Sequence, residues 1–385
     1  MKNTQLAVSL LVSSISFFVA AETEITSTPP NIDTSHAVVE RTNKFQPIVL
    51  PFYDPSIKSG LSAIPLFAFY PDDDDLVSDA STIAVPLIYT ANDSYVAKVA
   101  GDIILFEDNF RLSFETGVTS TNLNFNGTKG NKAQVDFDVD FMFKIADNMF
   151  IGVGGIYESS RYTAKHASEQ SSLESMGFNT NNASDAGYRL SFQWDTREQF
   201  YYPHAGFMWQ LNLEDHASWL GNDDDSTYRA LFSDYRYFHS LDSQSHHIIA
   251  TKLVGRYLFD ADKAPVSAFT TYGRQGKEVQ RGYAQGDYIA SNMLNLEVEY
   301  RHQFSDSQFD FVNNSAFVVM GGVGKSFGEK LDGYEEGFRD SDWLGVIGLG
   351  YRYTILPYER LNIKVDVTYN SDGDTIAYFG FGESI

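Results

Sequence analysis

The chain has 385 residues, with 51 acidic against 28 basic side chains, and its net charge of −23 excludes nucleic acid as a partner, because phosphate binding needs the opposite sign. It has no cysteine, which excludes disulfide scaffolds, thiolate metal sites and a lipid anchor on cysteine. Aromatic residues make up 15%, high for so polar a chain, and fit side chains that face lipid around a wet interior.

Met1-Lys2-Asn3 is a short basic start, and Leu6 to Ala20 is an apolar run that ends in small residues. Val19-Ala20-Ala21 fits a cleavage site, so residues 1–21 are predicted to be a signal peptide. The apolar run is too short to span a bilayer comfortably as a helix. Residues 22–43 are polar, carry Pro29-Pro30 and are predicted to be a disordered periplasmic segment. The remainder, 44–385, is predicted to be one transmembrane β-barrel.

Strands are expected near 45–53, 59–70, 81–90, 94–104, 109–119, 133–143, 149–159 and 186–196 in the first half. In the second half they are expected near 205–216, 227–239, 246–259, 292–304, 314–325, 342–355, 361–370 and 375–385. The alternation is clearest from Gln134 to Lys144. Val135, Phe137, Val139, Phe141 and Phe143 take one face; Gln134, Asp136, Asp138 and Asp140 take the other. Three carboxylates cannot enter a dry sandwich core unpaired, whereas the inside of a barrel accepts them. The fold class is therefore all-β, an antiparallel transmembrane barrel of about 16 strands. Pro51 and Pro55 bracket the first strand, and 59–70 is apolar on both faces, so 14 is the alternative count. Loop lengths support 16 with both termini periplasmic. The predicted outer loops are then 120–132, 160–185, 217–226, 260–291, 326–341 and 371–374.

Several short sequences in the C-terminal half resemble one family. Asp195-Thr196-Arg197 is followed by Pro203-His204-Ala205-Gly206; Gln280-Arg281-Gly282-Tyr283 lies in the long loop before the twelfth strand, and Asn295-Leu296-Glu297 in that strand. Gly348 to Tyr353, Asn362 to Asp366 and the closing Tyr378-Phe379-Gly380-Phe381-Gly382-Glu383 complete the set. Together they are similar to outer-membrane assembly and translocation barrels of the BamA/TamA superfamily, the bacterial surface antigen family. The resemblance implies that the loop 260–291 folds inward as a plug, with Arg281, Gly282 and Tyr283 as its motif. It implies that Arg281 pairs with acids on the barrel wall, of which Glu297 matches one. The second acid falls at Val319, a departure from the motif; Asp366, or Glu299 with a shift of register, could take its place. Relatives that export or insert proteins carry periplasmic POTRA modules. Only about 22 residues separate the predicted cleavage site from the first strand, so the resemblance informs fold better than activity.

Gly380 and Gly382 weaken the closing strand, since glycine packs nothing, and that strand must close on the poorly patterned first one. This seam is expected to be the least stable part of the wall. The acidic runs Asp72–Asp75 and Asn222–Asp225 lack the spacing of a calcium loop and read as solvated turns, and no metal site or cofactor is expected. No Gly-x-Ser-x-Gly, His-Glu-x-x-His or phosphate-cradling loop occurs, and no enzyme activity is expected. The expected partners are outer-membrane lipid and lipopolysaccharide, the barrel assembly machinery during biogenesis, and an unidentified protein or lipid substrate. The expected function is insertion or transport of protein or lipid at the outer membrane; the alternative is a passive channel or structural barrel.

Overall fold

The computed structural model describes residues 43–385 apart from 73, 76, 77, 224, 225, 274–279, 306, 332, 358 and 359. The predicted signal peptide and nearly all of the segment 22–43 lie outside the described residues. Sixteen wall strands form one antiparallel sheet that closes on itself. They are β1 Lys44–Asp54, β2 Lys58–Phe69, β3 in two pieces (Ser81–Ala84 and Leu87–Thr90), β4 Tyr95–Leu105, β5 Phe110–Phe125, β6 Thr128–Ala146, β7 Met149–Thr163 and β8 Ala183–Asp195. The second half supplies β9 Gly206–His216, β10 Tyr228–Ser240, β11 His247–Phe259, β12 Tyr288–Gln303, β13 Ser315–Lys330, β14 Leu344–Leu356, β15 Leu361–Asn370 and β16 Thr375–Phe381. Two further pieces, Thr270–Tyr272 and Glu335–Glu336, ride on loops and extend β12 and β13 locally.

Alternation sorts the side chains as the pattern requires. On β6, Val135 is 50% exposed and faces outward, while Gln134 is 3% exposed and faces the lumen. Pro86 divides β3, because it has no N–H to give β4, yet its carbonyl still accepts from Lys98 N at 3.1 Å. The β5–β6 connection differs from expectation. No loop spans 120–132; the strands run on to a two-residue turn at Asn126-Gly127, both with positive φ, the geometry of a tight hairpin. The extra length is retained because Leu123 and Phe125 turn inward and pack with Leu173 and Phe178.

Helix α1, Ala167–Ser175, lies in the β7–β8 loop and buries Leu173 in that same cluster, with Tyr162, Tyr228 and Phe269. This apolar plug fills the end of the barrel from which the long loops emerge, the loop side. At the opposite, turn side, the β8–β9 connection folds back into the mouth, burying Tyr201 and Tyr202. Tyr201 and Phe200 pack on Ile64, Leu66 and Ile88, which explains why 59–70 is apolar on both faces. The connection is clamped by Glu198, which accepts from His204 N at 2.6 Å, Ala205 N at 3.0 Å and Arg360 Nη1 at 2.8 Å. Polar and charged residues line the lumen between these two caps.

β1 and β16 close the barrel at one register position, Tyr53 opposite Phe379. The last strand ends earlier than expected, at Phe381. Gly382 has φ +68 and sends Glu383, Ser384 and Ile385 into the lumen. A Cβ at Gly380 or Gly382 would meet nothing within 4 Å, so these glycines do not make room for the inward loop.

Candidate functional site

The β11–β12 loop enters the lumen and brings Gln280, Arg281 and Tyr283 to complete burial. Two glycines allow the approach. Gly282 adopts φ +102, and a Cβ there would lie 2.4 Å from Val346 Cγ2. Gly324 on β13 leaves the hollow that Tyr272 fills, since a Cβ would come within 2.2 Å of its hydroxyl oxygen. The backbone around the motif is held on both sides: Gly282 N donates to Tyr378 Oη at 2.8 Å, and Asn370 Nδ2 donates to Gly282 O at 2.7 Å. Tyr283 Oη donates to Gly345 O at 2.9 Å.

Arg281 sits at the centre. Its Nε donates to Glu297 Oε1 at 2.5 Å, its Nη1 to Asp366 Oδ2 at 2.9 Å, and its Nη2 to Glu299 Oε1. Glu297, Glu299 and Arg301 are spaced by two on β12 and so share its inward face without any shift of register. Val319 faces outward at 42% exposure, a position from which no side chain could reach Arg281. Its neighbours Val318 and Met320 are the inward residues of β13.

The network continues past the three acids. Arg352 on β14 donates to Asp366 Oδ1 at 2.5 Å and to Glu383 Oε2 at 2.8 Å. Arg301 donates to Glu299 Oε2 at 2.8 Å and to Ile385 O at 3.2 Å. Three buried arginines thus meet four carboxylates, and each guanidinium shares an acid with another. Burying charge is costly unless every ion is paired and hydrogen-bonded, and a guanidinium fork meets several carboxylates with fixed geometry. Arg281 therefore has strong reason to stay, and Arg352 and Arg301 link the loop to the inturned tail. The sequence marks neither arginine as a member of the ion network, although Arg352 lies in a stretch that carries the resemblance. Arg352 meets Asp366 because β14 pairs with β15 with Gly350 opposite Asp366, a register that spacing along the chain does not reveal.

A second, partly buried set of ion pairs lies on the opposite wall. Arg189 pairs with Asp138, Asp140 and Glu214, and Lys98 with Glu115 and Asp136. Three of these acids, Asp136, Asp138 and Asp140, are those whose alternation marked β6 as lumenal. The acidic turns do structural work where described: Asp75 accepts from Ser78 N and Glu107 N, and Asn222 bonds Ala186 N and O. Asp73, Asp224 and Asp225 lie outside the described residues.

No protein-family model matches the sequence, and no characterised protein sequence does. Solved structures do match. BamA from Haemophilus ducreyi, lacking POTRA domains 1–3, superposes with TM-score 0.61 at 12% identity over 97% of this chain and 76% of that one. CdiB from Escherichia coli gives 0.57 at 9% identity over 87% of this chain, and CdiB from Acinetobacter baumannii 0.54 at 12% over 88%. This chain spans 61% and 59% of those two proteins. At these identities the likeness is one of fold. The protein is a closed, antiparallel, sixteen-stranded β-barrel of the outer-membrane type, and it shares the fold of BamA and CdiB.

Proposed function

We propose that this protein is a plugged barrel of the bacterial outer membrane, its turn side and both termini periplasmic, acting in the insertion or movement of protein or lipid. The observation that carries the reading is Arg281, fully buried among Glu297, Glu299 and Asp366 on an inward loop. A desolvated arginine held by three wall acids pins the loop across the lumen, which suits a closed barrel better than an open channel.

A static, structural barrel is the second reading, favoured by the apolar caps at both mouths. Deleting the gene and restoring either the wild-type or the Arg281→Ala chain separates the two. We expect deletion to change the abundance of other outer-membrane barrels or the exposure of phospholipid at the cell surface, with Arg281→Ala failing to restore it. Unchanged barrels and unchanged lipid asymmetry on deletion would favour the static barrel.

A further inference from the structure

The edge that β1 presents to β16 is built unlike any other edge in this wall. Pro47 lies opposite Pro65, and Pro65 O accepts from Val85 N of β3 at 3.0 Å. The polar groups of Pro65 therefore face β3, and those of Pro47 face away from β2, toward the seam, because both backbone groups of an antiparallel residue point the same way. By the same alternation Phe45, Val49, Pro51 and Tyr53 also aim their backbone at the seam. Proline has no N–H, so Pro47 and Pro51 delete every second donor along it. Below Tyr53 no described residue pairs with this edge, since β16 stops at Phe381 and the chain turns inward at Gly382.

The outward face is apolar; on the inward face Gln46 is polar, but Ile48, Leu50 and Phe52 are not. Outward stand Phe45 and Val49, 64% and 58% exposed; inward, Ile48 and Phe52 pack on the cluster that contains Ile64 and Leu66. Most of the rest of the lumenal wall is polar or charged. Lys44 stands at the turn-side end of the edge, a cation in a chain of net charge −23. Prolines at an edge are how sheets refuse an added strand, and apolar side chains with a terminal cation suit a lipid.

We propose that this edge takes the acyl chain of a periplasmic-leaflet phospholipid, with its phosphate at Lys44, and does not accept a β-strand. The proposal rests on the preceding reading for its periplasmic side and narrows the cargo to lipid. Because the chain has no cysteine, a single nitroxide label on Leu50→Cys, facing the lumen beside the seam, reports locally. In vesicles of phosphatidylethanolamine and phosphatidylglycerol, we expect its collisions with oxygen and with a water-soluble nickel chelate to resemble those of outward Val49→Cys. Lumenal Ser191→Cys, on the far wall, is expected to be water-like. Removing the cation with Lys44→Gln is expected to reduce the lipid signature at residue 50, while the amides of 46, 48 and 50, which face β2, keep their protection from exchange. A water-like label at residue 50, or one unmoved by Lys44→Gln, would overturn the proposal. Either result leaves the plug untouched, since that is read separately by the conductance of Arg281→Ala.

Discussion

At the scale of single residues, the buried charges set the strongest expectations. Truncating one partner of a buried ion pair strands the others, typically at about 3–5 kcal/mol. Arg281→Ala should therefore expose the loop 260–291 to protease, and Arg281→Ala with Glu297→Gln should cost less than the sum of the two single variants. Additive costs would mean the pair is not coupled. On the turn side, His204 has its pKa lowered from 6.5 to about 4, by burial first and by the Arg360 charge next. A depressed folded value means that its contribution is complete above pH 6.5 and lost as pH falls toward 4. Glu198 is held below its usual range: burial opposes ionisation, but the N–H groups of His204 and Ala205 and the Arg360 guanidinium outweigh it. Amide exchange in 197–205, corrected for its intrinsic pH dependence, should rise between pH 7 and 4, and His204→Gln should flatten that rise. No rise in the wild type would count against a neutral, half-buried His204.

At the scale of elements, strand identity was legible and strand ends were not. Alternation placed β6 because three aspartates at spacing two admit no dry core, and the structure turns them inward. The end of β5 was missed because Ser120 to Asn131 is rich in Ser, Thr, Asn and Gly and reads as a loop, although Thr121 to Phe125 alternate as well as any membrane strand. The end of β16 was missed because Phe379-Gly380-Phe381 reads on as strand until Gly382 takes positive φ. The motif on the plug loop was legible through resemblance to a family. Arg301 and Arg352, which share its acids, depend on register and on the inturned tail, which local sequence does not encode. Two element-scale results are expected. The amides of 375–381 should exchange faster than those of 206–216, which bond neighbours along both edges; equal protection would remove the weak seam. Gly324→Ala would put a Cβ 2.2 Å from Tyr272 Oη and 2.6 Å from Leu294 O, so it should loosen the loop while leaving the barrel closed. Unchanged protease resistance of 260–291 would show that the hollow is not needed.

At the scale of the whole molecule, the barrel is a container sealed three times: an apolar cap on the loop side, an aromatic turn on the turn side, and between them a loop pinned by charge. The caps are held by burial and the loop by ion pairs, and in the function we propose the loop is the seal that opens. The most direct test is single-channel conductance of the refolded barrel in a planar bilayer, wild type against Arg281→Ala. We expect a small, flickering conductance in the wild type that becomes larger and steadier in the variant. A large, steady pore in both would mean that Arg281 seats no plug.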